Sequence, residues 1–240
     1  MVFLTIAPFL CQIFNTFFSL GLYPKSCKIA KVIPLFKSGD NTNCENYRPI
    51  SVLTQINKIF EKLVHHRLNN FITENNLLTN YQFGFQKGHN TTHGITHLIE
   101  KIVDQLEKKR VCAALFIDLK SAFDIIDSSI LLKKLGHIGI RGNMLSVLRS
   151  YLHEHKQFVK NGDVESILLD VLIGVPQGSV LGPLLFIIYI NDIVNVSKKL
   201  DPALFADDAV LLANHLKLNS LQKILNHEMK LIHERQIANY

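Results

Sequence analysis

The sequence lacks the cysteine spacing of a zinc-binding module. Four cysteines occur among its 240 residues, namely Cys11, Cys27, Cys44 and Cys112, and no two of them form a Cys-x-x-Cys pair. We therefore expect reduced thiols, no zinc knuckle and an intracellular protein of the nucleus or cytoplasm. The chain also lacks internal repeats and low-complexity segments, which argues against a repeat architecture.

Charged residues are not gathered into one long run. The chain has 26 Lys and Arg against 20 Asp and Glu, a formal net charge of +6, and a sequence pI of about 9.1. An excess of basic residues suits a polyanionic partner, and the scattered charge argues against a basic tail. With 48% hydrophobic residues, the chain is able to bury a sizeable core in one or two domains.

The first 24 residues carry no formally charged side chain, so a membrane anchor is an alternative for this stretch. A signal peptide would have a positively charged start, and polar residues interrupt the later apolar run. We predict instead a buried amphipathic helix, ended by residues 21–24, and no membrane partner. The apolar residues that share one helical face are Ile6, Leu10, Ile13, Phe14 and Phe17.

The pattern of apolar residues predicts the remaining elements. A strand is expected at residues 28–36, and short strands within 157–175 are expected to turn at Asn161-Gly162. The predicted helices cover residues 50–78, 90–110, 130–152 with a break at 139–142, the stretch from about 180 to 193, and 219–240.

Two adjacent carboxylates, Asp207 and Asp208, interrupt the apolar run of residues 204–212. Such a run predicts two strands, and Asp is comfortable in the two-residue turn of a hairpin. Two like charges side by side are costly to bury without a cation. We therefore predict that the pair binds a divalent ion through oxygen ligands. The alternative is a solvated, acidic tip of a surface hairpin.

A third carboxylate, Asp118, follows the unbroken apolar run of residues 111–117 and is expected at the end of a buried strand. A two-metal site for phosphoryl transfer needs one carboxylate from one strand and others from a neighbouring hairpin. These hold two ions about 3.5–4 Å apart, which clamp the attacking and leaving oxygens. The alternative for Asp118 alone is a helix N-cap.

Five motifs give the sequence a resemblance to reverse transcriptases of LINE-type (non-LTR) retrotransposons. Residues 205–208 (FADD) resemble the catalytic box, residues 118–124 (DLKSAFD) the first catalytic motif, and residues 174–192 the motif between them. Residues 46–53 (NYRPISVL) and 82–89 (QFGFQKGH) resemble fingers motifs. The family places the second of these loops near the template.

The resemblance implies an α+β right-hand polymerase with fingers at residues 1–110 and palm at residues 111–240. The implied reaction is RNA-templated DNA synthesis, which adds a deoxynucleoside monophosphate to a primer 3′-hydroxyl and releases pyrophosphate. Its partners are an RNA template, a DNA primer and deoxynucleoside triphosphates. Asp118 and Asp207 are expected to ligate two Mg²⁺ ions, with Mn²⁺ as a substitute and Asp208 assisting.

The resemblance also assigns two basic residues to the triphosphate of the incoming nucleotide. Arg48 matches its motif, and a guanidinium binds phosphate in a planar, bidentate manner that an ammonium cannot. Lys37 is the expected second residue, with Lys31 as a rival. The alternative for each lysine is a solvated surface charge.

Three further residues are assigned to the nucleotide sugar. Phe123 is expected to pack under the sugar and exclude a 2′-hydroxyl, and its alternative is a core phenylalanine. Gln177 and Gly178 are expected beside the nucleotide, because glycine lets the backbone approach a ligand and a helix start favours phosphate. The alternative for residues 174–179 is only a tight strand-to-helix turn.

The sequence departs from the family's pattern at Ser128, where family members often have His. In the family, a lysine-bearing strand, a primer-gripping turn and a thumb follow the last predicted helix, and the motifs of this chain stop before them. We therefore expect a polymerase fragment with the thumb missing. The alternative function is a catalytically inactive or domesticated remnant that acts at most as a nucleic-acid-binding module.

Overall fold

The computed structural model describes residues 2–119 and 122–238, with side chains described for 5–119 and 122–234. The chain forms two compact units, each assembled from two stretches. The first unit is Met1–Phe71 with Phe123–Gly182, and the second is Ile72–Ala122 with Pro183–Tyr240. The mixture of helices with two sheets confirms the α+β class. Both units draw on residues from either side of residue 110, so the fingers and palm boundaries stay a prediction.

Helices and strands alternate along the chain in short groups. The helices are α1 (Val2–Leu20), α2 (Gln55–Glu74), α3 (Thr91–Glu107), α4 (Ser128–His137), α5 (Gly142–Leu152), α6 (Gly182–Ile190) and α7 (Leu218–Ala238). The strands are β1 (Ile29–Phe36), β2 (Tyr47–Val52), β3 (Val111–Asp118), β4 (His155–Asn161), β5 (Val164–Glu165), β6 (Leu169–Val171), β7 (Asp201–Phe205) and β8 (Asp208–His215).

The sheet of the first unit is built around β1. Strand β2 pairs with β1 in antiparallel fashion, and β4 pairs with its other edge in parallel. Strands β5 and β6 both pair with β4. Asn161 lies opposite Val164, so the predicted hairpin forms, but its two-residue turn is Gly162-Asp163, one residue later than the predicted Asn161-Gly162. Gly162 has a φ of +59°. Type I′ and II′ hairpin turns need a positive φ of this kind.

The helix predicted over residues 50–78 is wrong at its start. Residues 47–52 form β2, and α2 begins only at Gln55. The Ser51 N–H donates a hydrogen bond to the Gln177 carbonyl, with a donor–acceptor distance of 2.7 Å, and β2 pairs with β1 along its other edge. Pairing with residues distant in sequence therefore overrides the helical periodicity.

Aromatic rings form the centre of the first unit. Phe14 of α1 stacks on Phe60 of α2 with ring centroids 5.0 Å apart. Tyr23 lies 5.2 Å from Phe60 and 4.9 Å from Tyr151 of α5, again between ring centroids. These distances are typical of favourable aromatic pairs. The cluster joins the N-terminal helix to the two helices against which it packs.

Helix α1 forms and ends as predicted, but its predicted buried face is wrong at two positions. Phe14 is 4% exposed, whereas Ile6 is 46% and Ile13 is 48% exposed. The aromatic contacts of α1 with Phe60 of α2 are made by Phe14, Phe17 and Phe18. Ile6 lies about two turns before them, and Ile13 is rotated about 100° from Phe14 around the helix, so both remain exposed. Among the described residues, no helix combines the length and the apolar character needed to span a membrane.

The second unit contains an antiparallel sheet in the order β3-β8-β7. Helices α3 and α7 pack against it. Leu211 and Ala213 of β8 are buried and form a core cluster with Leu221 and Ile232 of α7. Because strand side chains alternate between faces, burial of this face sends the intervening residues of β8 to the opposite face.

Candidate active site

The register of β3 and β8 places Asp118 directly opposite Asp208. Cross-strand partners leave the same face of a sheet with Cβ atoms about 4.5–5.5 Å apart, so these two carboxylates are neighbours at the sheet end. The adjacent pair on that face is Phe116 and Val210, and Phe116 is 75% exposed. Since both aspartates are also exposed, this end of the face is open to a ligand.

The hairpin predicted around the aspartate pair is confirmed. Phe205 pairs with Asp208 and leaves Ala206 and Asp207 as a two-residue turn. Asp207 is half-buried. Ala206 has a φ of +57°, at the turn position where glycine is preferred. The left-handed region costs a non-glycine residue roughly 1–2 kcal/mol, so the turn carries local strain.

A segment of the predicted template loop lies against this turn. The Leu204 N–H donates to the Tyr81 carbonyl at 2.8 Å, and the Phe83 N–H donates to the Leu204 carbonyl at 2.7 Å. Gln82 is 1% exposed, and its Oε1 accepts the Ala206 N–H at 3.1 Å and the Gly84 N–H at 2.8 Å. The sequence pattern did not predict this contact.

The close approach of the two segments explains Gly84. A Cβ atom at residue 84 would lie 2.2 Å from the Ala206 nitrogen and 2.9 Å from its Cα atom. Both are backbone atoms of the turn and have no room to move aside without displacing it. The Gln-x-Gly spacing at residues 82–84 is the sequence feature that indicates such an approach.

The three aspartates provide oxygen ligands without a preformed cage. Within residues 2–119 and 122–238, no three His, Cys, Asp or Glu side chains form a group able to hold a metal. A Mg²⁺ ion in a phosphoryl-transfer site is usually bound by one or two carboxylates together with substrate phosphates. Opposed carboxylates with an open face fit that manner of binding. Lys120 and Ser121 of the first catalytic motif lie outside the described residues.

Phe123 belongs to the first unit, where it is half-buried. Its carbonyl accepts the Val175 N–H at 2.9 Å, and the Gly174 N–H donates to the Ile126 carbonyl at 2.9 Å. Backbone hydrogen bonds thus hold the end of the first catalytic motif against the start of the residue 174–192 motif. The structure brings together two stretches that the resemblance had assigned to the nucleotide.

Gln177 and Gly178 lie against β2. Gly178 has a φ of +117°, and a Cβ atom there would lie 2.7 Å from the Ser51 carbonyl oxygen, so only glycine fits. Gln177 lines a cavity of about 350 Å³ together with Ser51, Asp124 and Lys156. The cavity places Gln177 and Asp124, the residue after Phe123, on one concave surface.

Lys37 and Arg48 are exposed near the end of the β1–β2 pair where residues 37–46 connect the two strands. Arg48 lies opposite Leu35, and the Lys37 N–H donates to the Asn46 carbonyl at 2.8 Å. Neither is among the described residues that line the Gln177 cavity. Lys31 lies opposite Val52, farther along the strands from Arg48 than Lys37.

A buried carboxylate that the sequence pattern did not predict stabilises the turn before α6. Glu61 is 0% exposed, and its Oε2 accepts the N–H groups of Val180 and Leu181. Burial raises the pKa of the Glu61 carboxyl, although these hydrogen bonds oppose the shift. The sequence feature that indicates it is the placement of Glu61 one residue after Phe60, on the apolar side of α2.

Comparison with known proteins identifies the family to which this chain belongs. Residues 35–238 match the family described as reverse transcriptase (RNA-dependent DNA polymerase). The probable RNA-directed DNA polymerase from transposon BS of Drosophila melanogaster is 35% identical over 212 residues, which cover 85% of this chain and 23% of that protein. The RNA-directed DNA polymerase from mobile element jockey of the same species is 31% identical over 185 residues, which cover 77% and 20%. The chain therefore spans less than a quarter of the length of these relatives.

A solved structure shows the same fold. The apo telomerase from Candida tropicalis superposes with a TM-score of 0.62 at 13% identity, over 93% of this chain and 46% of that chain. The fold agrees with the right-hand polymerase class that the motifs implied. With the match over residues 35–238, these findings establish that the chain belongs to the reverse transcriptase (RNA-dependent DNA polymerase) family, as the LINE-type motifs predicted.

Proposed function

We propose that this chain is the catalytic part of an RNA-directed DNA polymerase of retrotransposon origin. It adds deoxynucleoside monophosphates from deoxynucleoside triphosphates to a primer 3′-hydroxyl, with RNA as the template. The observation that carries the proposal is the placement of Asp118 opposite Asp208, with Asp207 in the adjoining turn. Family membership and the open face beside the aspartates support it.

Asp118, Asp207 and Asp208 are the residues that would hold two Mg²⁺ ions, or Mn²⁺ in their place. When bound, such ions stabilise charge on the attacking and leaving oxygens of phosphoryl transfer. The protein's own contribution is positioning, because phosphoryl transfer needs no protein nucleophile. Strands β3 and β8 fix the spacing of Asp118 and Asp208, and the turn fixes Asp207.

The remaining predicted residues bind and position the incoming nucleotide. Arg48 and Lys37, exposed on the β1–β2 pair, bind the triphosphate. Phe123 excludes a 2′-hydroxyl, while Gln177 and Gly178 contact the nucleotide near its sugar. The backbone hydrogen bonds of Phe123 and Gln177 hold these residues in place before a nucleotide arrives, which reduces the ordering that binding requires.

The experiment is primer extension on poly(rA)/oligo(dT) by the polymerase that contains residues 1–240. Asp207→Asn removes a charge with little change of shape. We expect it to lower kcat by about a thousandfold, roughly 4 kcal/mol of transition-state stabilisation. The matched control is Asp201→Asn on the same hairpin, since the Asp201 Oδ1 lies 3.9 Å from the Lys101 Nζ rather than beside the other aspartates.

The two candidate functions predict different results. An inactive remnant that only binds nucleic acid shows no extension in the parent, and its affinity for poly(rA)/oligo(dT) does not depend on Asp207. Extension by Asp207→Asn within a few-fold of the parent contradicts the proposed role of this carboxylate. Equal loss in Asp201→Asn also contradicts it, because that result reflects general damage to the hairpin.

A further inference from the structure

We infer that Gln82 is a positioning residue that holds the Ala206-Asp207 turn in the shape that presents Asp207 and Asp208 to a metal. The inference rests on the proposed function and adds a residue to it. The Gln82 side chain contacts the backbone of the turn, not its carboxylates. Its effect on the reaction is therefore exerted through Asp207 and Asp208.

The contact is specific because one oxygen serves two donors. The Gln82 Oε1 accepts the N–H of Ala206, the strained residue of the turn, and the N–H of Gly84, on the segment beside it. Both bonds lie in a buried environment. An unpaired buried N–H is unfavourable, so loss of the oxygen leaves two such groups at the turn.

The orientation of the Gln82 amide follows from these donors. A flipped amide would place its NH₂ group against two N–H groups, which cannot accept hydrogen bonds. In the described part of the chain, the Gln82 Nε2 has no hydrogen-bond partner. The glutamine is therefore oriented to serve the turn, even at the cost of its own unsatisfied donor.

The backbone of the same segment holds the hairpin from its edge. Gln82 forms a parallel bridge with Leu204, and the Phe83 and Leu204 N–H groups complete the hydrogen bonds between the two segments. Backbone pairing fixes where the segment lies along β7. The Gln82 side chain extends beyond this pairing and reaches Ala206, two residues after Leu204, at the start of the turn.

The experiment measures the local stability and metal affinity of the turn as well as the rate of the reaction. Gln82→Met removes the acceptor at similar length, and Gln82→Glu keeps an acceptor oxygen and serves as the rescue. The matched control is Gln222→Met, the same change at an exposed glutamine of α7. The readouts are amide hydrogen exchange at Ala206, Mn²⁺ affinity by electron paramagnetic resonance, and steady-state primer extension.

We expect Gln82→Met to speed exchange at Ala206 and weaken Mn²⁺ binding, each by about tenfold, the equilibrium worth of one buried hydrogen bond. The kcat for extension falls by at least as much, and the KM for the nucleotide stays within about twofold, because transition-state positioning is lost rather than substrate binding. Gln82→Glu retains most of each property. Gln222→Met resembles the parent.

Unchanged exchange and Mn²⁺ affinity in Gln82→Met would overturn the inference. A lowered melting temperature with an unchanged kcat of the folded protein would do the same, because it indicates a purely structural residue. If Gln82→Met does not fold, Gln82→Asn withdraws the oxygen by one methylene, and the same criteria apply. A parent that binds no Mn²⁺ refutes the proposed function, and the exchange data then show separately whether the contact exists.

Discussion

The opposed carboxylates lead to a prediction about stability. Asp118 and Asp208 lie directly opposite each other, and like charges in that arrangement are destabilising. Without metal, Asp118→Asn and Asp208→Asn should therefore each make the protein more stable than the parent. The same substitutions should remove the stabilisation that a bound divalent ion provides.

The magnitude follows from the exposure and spacing of the two groups. Both aspartates are exposed, so a water-like dielectric applies. Two unit charges about 5 Å apart in water repel by about 0.8 kcal/mol, and salt screening lowers this value. Either substitution should raise the free energy of unfolding by about 0.2–0.8 kcal/mol. The double variant should gain little more, because either change alone removes the repulsion.

In saturating Mg²⁺, the parent should become more stable than the Asp118→Asn and Asp208→Asn variants. A ligand at a hundred times its dissociation constant stabilises the native state by about 2.7 kcal/mol. The parent gains this stabilisation in Mg²⁺, and the variants lose most of it. The assay is urea unfolding in EDTA and in Mg²⁺, with the midpoint and slope fitted for each protein.

The matched control is Asp201→Asn. Its carboxylate lies near Lys101, so neutralising it relieves no repulsion, and the effect should be small and equal in EDTA and in Mg²⁺. Two results would refute the reasoning. One is an Asp208→Asn protein that is less stable than the parent in EDTA, and the other is an equal gain from Mg²⁺ in parent and variants.

Two further residues give predictions. Phe123→Val should lower the ratio of kcat/KM for dCTP over CTP by about tenfold or more, because the smaller side chain opens space beneath the sugar, and an unchanged ratio would make Phe123 a packing residue. Glu61 has a raised pKa, so above pH 4.5 the unfolded chain loses a proton that the folded chain keeps. Stability should then fall as pH rises towards the folded pKa, by at most about 1.4 kcal/mol per pH unit. Glu61→Gln should remove this component, as urea unfolding from pH 5 to 9 would show, and an unchanged slope in the variant would contradict it.

Local sequence patterns were sufficient to predict many of the helices, strands and turns. The helix predicted over residues 90–110 is observed as α3, with Asn90 as the N-cap whose side chain accepts the His93 N–H. The break predicted at residues 139–142 separates α4 from α5. The Asp207 turn also occurs where the apolar run predicted it. The sequence signal for each of these features comes from residues near one another in the chain.

The errors and omissions of the sequence-based predictions arise from contacts between residues that are distant in sequence. Residues 50–52 form a strand because β2 pairs with β1 and meets Gln177, which no local pattern shows. The contact of Gln82 with Ala206 joins residues 124 positions apart. Glu61 contacts Val180 across 119 positions. The assembly of each unit from two separated stretches is of the same kind.

Three unfavourable local features of the second unit occur together at the β7–β8 hairpin. Asp118 and Asp208 repel each other, Ala206 occupies a backbone region that suits glycine, and Gln82 keeps an unsatisfied donor to hold that residue. Each feature would be disfavoured if stability alone determined the sequence. Strain of this kind persists where the surrounding structure enforces it, and such sites are often functional. A divalent ion would convert the repulsion into shared coordination, which is why this hairpin, rather than the Gln177 cavity, is the best candidate for the catalytic centre.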